Sequence, residues 1–216
     1  MKEEIAKGDY DIGIAFDGDG DRILVVSCEG TVLDGDDILY ILSKDLSNES
    51  GVIGTLMTNK ALELYFEEQG INFSRADVGD KYVLNDLVSN KWELGGEPSG
   101  HIICLDAAPT GDAIIAALKL LNAIKINDFS LEKSLEGFTR FPQTLINLKV
   151  DDPNKIILSD RFWSKVTQIE KTLGDQGRVL IRPSGTEPLI RLMVESTDTS
   201  ISENFCNSLA ELALEI

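Results

Sequence analysis

The segment Asp17-Gly18-Asp19-Gly20-Asp21-Arg22 lies between two short apolar runs, residues 12–16 and 23–27, and no other feature constrains the chain as strongly. Three carboxylates this close cannot enter a core unpaired, because burial of an uncompensated charge is too costly. The two runs therefore read as strands of a hairpin with the acidic loop at its end. The two glycines permit a tight turn, and the alternation sets the three carboxylates on one side, where they are expected to converge on one ion. Oxygen-only ligands favour a hard cation, and Mg²⁺ is the expected one. An EF-hand also begins D-x-D-x-D, but Arg22 stands where its sharp turn needs Gly, and Cys28 where a bidentate Glu belongs. A solvated acidic turn is the remaining reading, and it leaves three like charges crowded without a counter-ion.

From this hairpin onward, strand and helix patterns alternate. Residues 36–46, 59–69, 81–88 and 113–126 have helical spacing, and residues 51–56, 92–95 and 102–105 read as strands. That alternation predicts an α/β layer. A short helix is expected over 128–137 with Ser130 or Asp128 as its cap. Arg140-Phe141-Pro142-Gln143 reads as a linker. Beyond it, strands over 144–150, 178–182 and 189–195 and helices over 160–173 and 202–216 predict a β-α-β-β-α order, a small α+β domain with helices on one face of an antiparallel sheet. There is no internal repeat and no low-complexity tract.

With 43% hydrophobic residues among 216, the chain can bury a core. Its 37 acidic and 20 basic residues give a formal charge of -17, which opposes nucleic acid and anionic membranes as partners. No run approaches the roughly 18 apolar residues of a membrane helix, and the opening MKEEIAKGDYD has no apolar signal region, so a cytoplasmic protein is expected. Cys28, Cys104 and Cys206 match no metal spacing and read as buried or semi-buried thiols in a reducing compartment.

Two further loops carry chemistry. In Gly95-Gly96-Glu97-Pro98-Ser99-Gly100-His101, Glu97 and Ser99 offer an acceptor and a donor suited to sugar hydroxyls, and the glycines allow close approach. His101 is the single histidine. Turn chemistry explains these residues as well as ligand binding does, and the pattern alone does not choose. In Arg182-Pro183-Ser184-Gly185-Thr186-Glu187-Pro188, with Arg191 following, two guanidinium groups, two hydroxyls and glycine-exposed N–H groups form a candidate phosphate cradle without a Walker lysine. A polar hairpin turn explains Ser, Gly and Pro there but not arginine on both sides.

FDGDGDR, GGEPSGH and RPSGTEP, in this order, resemble the metal, sugar and phosphate loops of the α-D-phosphohexomutases. Within that superfamily GTLMTNKALEL, VGDKYVL, SGHIICLD with PTGDAIIAAL, FPQTLINLKV and GRVLIRPSGTEPLIRLMVE are most similar to the phosphoglucosamine mutases, and the resemblance covers nearly the whole chain. It implies a mixed α/β/α domain followed by a smaller α+β domain: residues 1–33 as the end of a second family domain, 34–139 as a third and 140–216 as a fourth. The implied reaction interconverts glucosamine 6-phosphate and glucosamine 1-phosphate through a phosphoserine, on the route to UDP-N-acetylglucosamine.

By the same resemblance Asp17, Asp19 and Asp21 bind Mg²⁺, Arg22 lies against the phosphoserine, and Glu97, Ser99 and His101 meet the sugar. Arg182, Ser184, Gly185, Thr186 and Arg191 grip the phosphate that is not transferred. The family's T-A-S-H-N-P-type serine loop does not occur among these residues. The resemblance thus implies a truncated gene, an internal start or an incomplete sequence. These 216 residues are then expected to be inactive alone and to have the missing N-terminal domains as partners. A phosphomannomutase or phosphoglucomutase shares all three loops, and a non-catalytic sugar-phosphate binding module is the alternative from another class.

Overall fold

The computed structural model describes all residues except Asn48, Gly185 and Thr186. The chain divides into two compact units, Met1–Thr139 and Arg140–Ile216. No helix among the described residues is long and apolar enough to cross a membrane.

The first unit opens with a short helix, α1 (Lys2–Ile5), and the hairpin of β1 (Ile12–Phe16) and β2 (Ile23–Ser27), extended by β3 (Val32–Leu33) into an antiparallel sheet. The hairpin expected from the acidic loop is present. Helix α2 (Gly35–Ser43) starts at a capping box: Asp34 accepts the N–H groups of Asp36 and Asp37, and Asp37 accepts that of Asp34. Next come β4 (Gly51–Thr55), α3 (Lys60–Gln69), β5 (Asn72–Ala76), α4 (Asp80–Asn90), β6 (Leu94–Gly96), β7 (Ile102–Cys104), α5 (Ala113–Ile124) and α6 (Leu131–Leu135). Asn59 caps α3, Asp112 caps α5, and of the two candidates for α6 it is Ser130 that accepts its first-turn N–H.

The strand order β5-β4-β6-β7 has three parallel strands and an antiparallel fourth. Because side chains alternate along a strand, this sheet builds two cores. Val52, Leu94, Ile102 and Cys104 join Leu39, Leu62, Phe66 and Leu120 of α2, α3 and α5 on one face. Ile53, Ala76 and Ile103 join Val83 and Leu87 of α4 on the other. The result is the α/β/α layering expected from the alternating pattern, with α3 and α4 on opposite faces of the sheet.

The second unit runs β8 (Gln143–Lys149), α7 (Pro153–Ile157), α8 (Asp160–Leu173), β9 (Gly177–Pro183), β10 (Leu189–Ser196) and α9 (Thr199–Leu214). Its antiparallel sheet is ordered β8-β10-β9, and Ile190, Leu192 and Val194 of the central strand pack against Phe162, Val166 and Ile169 of α8 and Cys206 and Leu209 of α9. This is the smaller α+β fold, with α7 as an addition to the expected order. Cys104 and Cys206 are buried, and burial pushes each thiol up to about 11. Cys28 is exposed, against expectation, because it lies at the turn that follows β2.

Candidate active site

The open end of the first unit's sheet gathers the residues of interest. Thr55 and Met57 follow β4, Val78, Gly79 and Asp80 follow β5, and Glu97, Pro98, Ser99 and His101 follow β6, and all line one cleft of about 550 Å³ together with Asp21 and Arg22. These are the carboxyl ends of the three parallel strands. The connection after β4 passes over one face through α3, and the connection after β5 over the other through α4. Neighbouring connections that leave to opposite faces open a crevice at the strand ends, where α/β sheets bind ligands.

The acidic loop is sewn onto this crevice by backbone pairing. Arg22 and His101 form an isolated antiparallel bridge, Ile23 N–H donates to the Gly100 carbonyl at 3.0 Å, and Ala113 N–H donates to the Gly20 carbonyl at 3.0 Å. Gly100 has φ +91°, and a side chain there would overlap the Ile23 carbonyl, so only glycine lets the two loops approach this closely. His101 is buried, with Nδ1 3.2 Å from Asp21 Oδ2. Glu97 Oε1 accepts the Gly79 N–H at 3.0 Å, which ties the loop after β6 to the loop after β5.

The three carboxylates of the acidic loop do not converge as expected. Among the described residues no group of three or more His, Cys, Asp or Glu side chains is gathered to hold a metal ion. Asp17 Oδ1 instead accepts the N–H groups of Gly20, Asp21 and Arg22 at 3.0, 3.2 and 3.3 Å, and Oδ2 lies 3.4 Å from Arg22 Nε. Loss of hydration pushes the Asp17 carboxyl up, but the N–H groups of Arg22, Asp21 and Gly20 and the Asp21 side chain outweigh it and hold its pKa below the usual carboxylate range. Asp19 is exposed, and Asp21 turns Oδ2 towards His101. Asp21 Oδ1 is buried with no hydrogen-bond partner. That orphaned oxygen, in a loop that carries two more carboxylates, fits a hard divalent cation in chemistry.

The second unit holds the arginine-rich loop. Arg182 and Arg191 are direct partners across β9 and β10. Residues opposite each other point to the same face, and like charges in that position are destabilising. Neither guanidinium has an acidic partner among the described residues, and Arg191 Nε is buried without a hydrogen bond. Ser184 N–H donates to the Leu189 carbonyl at 2.9 Å and closes the turn. The candidates Gly185 and Thr186 lie outside the described residues. An anion would complement this arginine pair in charge.

Two family profiles match the chain: phosphoglucomutase/phosphomannomutase alpha/beta/alpha domain III over residues 34–141, and the C-terminal domain of the same family over residues 145–212. The chain belongs to the phosphohexomutase family. A phosphoglucosamine mutase of Janthinobacterium sp. (strain Marseille) is 47% identical over 218 aligned residues, which cover 97% of this chain and 48% of the relative. The chain spans about half the length of the curated relatives it matches. The crystal structure of a phosphoglucomutase/phosphomannomutase family protein from Burkholderia thailandensis matches 99% of the chain and 48% of its own length, with TM-score 0.80 and 25% identity. N-acetylphosphoglucosamine mutase of Aspergillus fumigatus, solved with GlcNAc-6P and magnesium, shares the fold at TM-score 0.74 and 22% identity over 93% of this chain and 51% of that one.

Part of this cleft was not legible in the sequence. Thr55, Met57, Val78 and Asp80 line it, yet they lie in loops without a charge cluster or repeated glycine. Their common signal is position at the end of a parallel strand, which requires strand order to read.

Proposed function

We propose that this chain carries the metal, sugar and phosphate loops of a phosphoglucosamine mutase, which interconverts glucosamine 6-phosphate and glucosamine 1-phosphate by phosphoserine-mediated phosphoryl transfer. The observation that carries the reading is the cleft at the parallel strand ends, where Glu97, Ser99 and His101 meet Asp21 and Arg22. Relatives of that name at 42–49% identity support it.

In this reading Asp17, Asp19 and Asp21 hold Mg²⁺, which when bound offsets negative charge on the transferring phosphoryl group. Arg22 faces that same group and holds it by charge-assisted hydrogen bonds. Glu97 accepts and Ser99 donates hydrogen bonds to sugar hydroxyls, and the buried His101 fixes the distance between the sugar loop and Asp21. Arg182, Ser184, Gly185, Thr186 and Arg191 bind the phosphate that is not transferred. Residues 1–33 correspond to the end of the family's second domain, 34–139 to its third and 140–216 to its fourth. The pathway is that of UDP-N-acetylglucosamine, a peptidoglycan precursor, and the location cytoplasmic.

A T-A-S-H-N-P-type loop is not among these 216 residues, so the chain alone should not turn over. The test is Mg²⁺-dependent conversion of glucosamine 6-phosphate by the purified chain, with and without an added N-terminal segment bearing the serine loop. Conversion only with the segment is expected. Conversion by the chain alone refutes the assigned division of labour, and none with a folded, bound segment refutes the activity.

A further inference from the structure

The cleft is acidic. Its titratable lining comprises Asp21, Asp80, Glu97, Arg22 and His101. Two of the three carboxylates have work already: Asp21 Oδ2 faces His101 Nδ1, and Glu97 Oε1 accepts the Gly79 N–H. The one guanidinium, Arg22, lies 3.4 Å from Asp17. Asp80 alone among these acids has no ion pair and accepts no hydrogen bond at its carboxylate among the described residues.

Asp80 is held in place by its neighbours. It is the first residue of the eleven-residue helix α4, and the preceding Gly79 is pinned to Glu97. Met57 and Val78 supply apolar lining on the strand ends beside it, and the Asp80 carboxylate itself is exposed to an incoming ligand.

We infer that Asp80 determines specificity by pairing with the ammonium group of an amino sugar, so that the cleft selects an amino-hexose phosphate over its hydroxyl counterpart. This rests on the reading of the cleft as the sugar site. A neutral hydroxyl can accept or donate one hydrogen bond at that position but leaves the Asp80 charge uncompensated. An ammonium group compensates it and also donates hydrogen bonds. An acetylated amine has no charge to offer and should fare like the hydroxyl.

The test is calorimetric titration of the full chain and of Asp80→Asn with glucosamine 6-phosphate, glucose 6-phosphate and N-acetylglucosamine 6-phosphate, at low and high salt. The unmodified chain should bind glucosamine 6-phosphate roughly threefold to fivefold more tightly than the other two, the size of one partly exposed ion pair. Salt should erode the preference. Asp80→Asn should abolish it, and Asp80→Glu should restore part of it. Equal affinities in the unmodified chain, or an undiminished preference in a folded Asp80→Asn chain, overturn the inference alone. Binding of none of the three sugars overturns the sugar-site reading, and this inference with it.

Discussion

Arg75 shows how much a single half-buried group contributes to the cleft without lying in it. From β5 it donates to the carbonyls of Thr55 at 2.9 Å and Thr58 at 2.6 Å, and to Glu63 Oε2 through Nε at 2.9 Å and Nη2 at 2.6 Å. It thereby fixes the loop that brings Thr55 and Met57 to the strand ends. Desolvation pushes the Glu63 carboxyl up, but hydrogen bonds and charge from Lys60 and Arg75 outweigh it and hold its pKa below the ordinary 4.5. A depressed folded-state pKa adds stability that is complete above the unfolded value and is lost as pH falls through the folded one. Glu63→Gln should therefore lower unfolding free energy by about 1–2 kcal/mol at neutral pH, a figure reduced for partial exposure. Urea melts should show that difference shrinking once pH drops below about 4.5, the ordinary carboxyl value. A difference constant from neutral pH to pH 3 would mean that charge is not what Glu63 contributes. The three loops rich in glycine and charge stood out in the sequence because those residues cluster locally. Arg75 was not, because its partners are two carbonyls and a carboxylate 12–20 residues away, brought near only by the strand order.

At the scale of elements, the start of α2 is the support on which the loop after β6, the proposed sugar loop, rests. Gly35 N–H donates to the Pro98 carbonyl at 3.1 Å, and a methyl group on Gly35 would overlap the Glu97 carbonyl oxygen, which is backbone and has no flexible end to yield. Gly35→Ala should displace the sugar loop and weaken sugar-phosphate binding by tenfold or more, with a stability loss of about 1–3 kcal/mol from the overpacking. Gly18→Ala is the comparison, because nothing lies within 4 Å of that position. Equal binding by both variants, read by calorimetry, would remove α2 as the support. Helices with a cap and an apolar stripe were legible almost to the residue: α8 is Asp160–Leu173 as expected, and α5 begins at Ala113 behind Asp112. Strand β5 was not legible. Both faces of its sheet are covered, with Phe73 packed on one core and Ala76 in the other, so no clean alternation of apolar and polar residues marks Asn72-Phe73-Ser74-Arg75-Ala76. Helix α7 escaped notice because five residues are too few for a helical period to show.

At the scale of the whole molecule, each unit closes its own core. The buried cluster of the second unit draws only on residues from Ile156 onward, and those of the first end at Leu131. Residues 140–216 expressed alone should therefore unfold in one cooperative transition and give a dispersed amide spectrum. That autonomy makes the arginine pair testable apart from the sugar cleft. Arg182 and Arg191 face each other across β9 and β10 without an acidic partner among the described residues, in a chain whose formal charge is -17. Two like charges held opposite cost stability that a bound anion returns, and an anion that binds only the folded unit raises its unfolding free energy by about 2.7 kcal/mol at a hundred times its Kd. Inorganic phosphate should therefore raise the melting midpoint of residues 140–216, while chloride at matched ionic strength should not. Arg191→Gln should melt at or above the unmodified unit without phosphate, because the repulsion is gone, and should gain little when phosphate is added. The sign of that first change separates a phosphate cradle from a structural turn. An arginine that serves only packing would leave Arg191→Gln less stable in both solutions and the phosphate response intact.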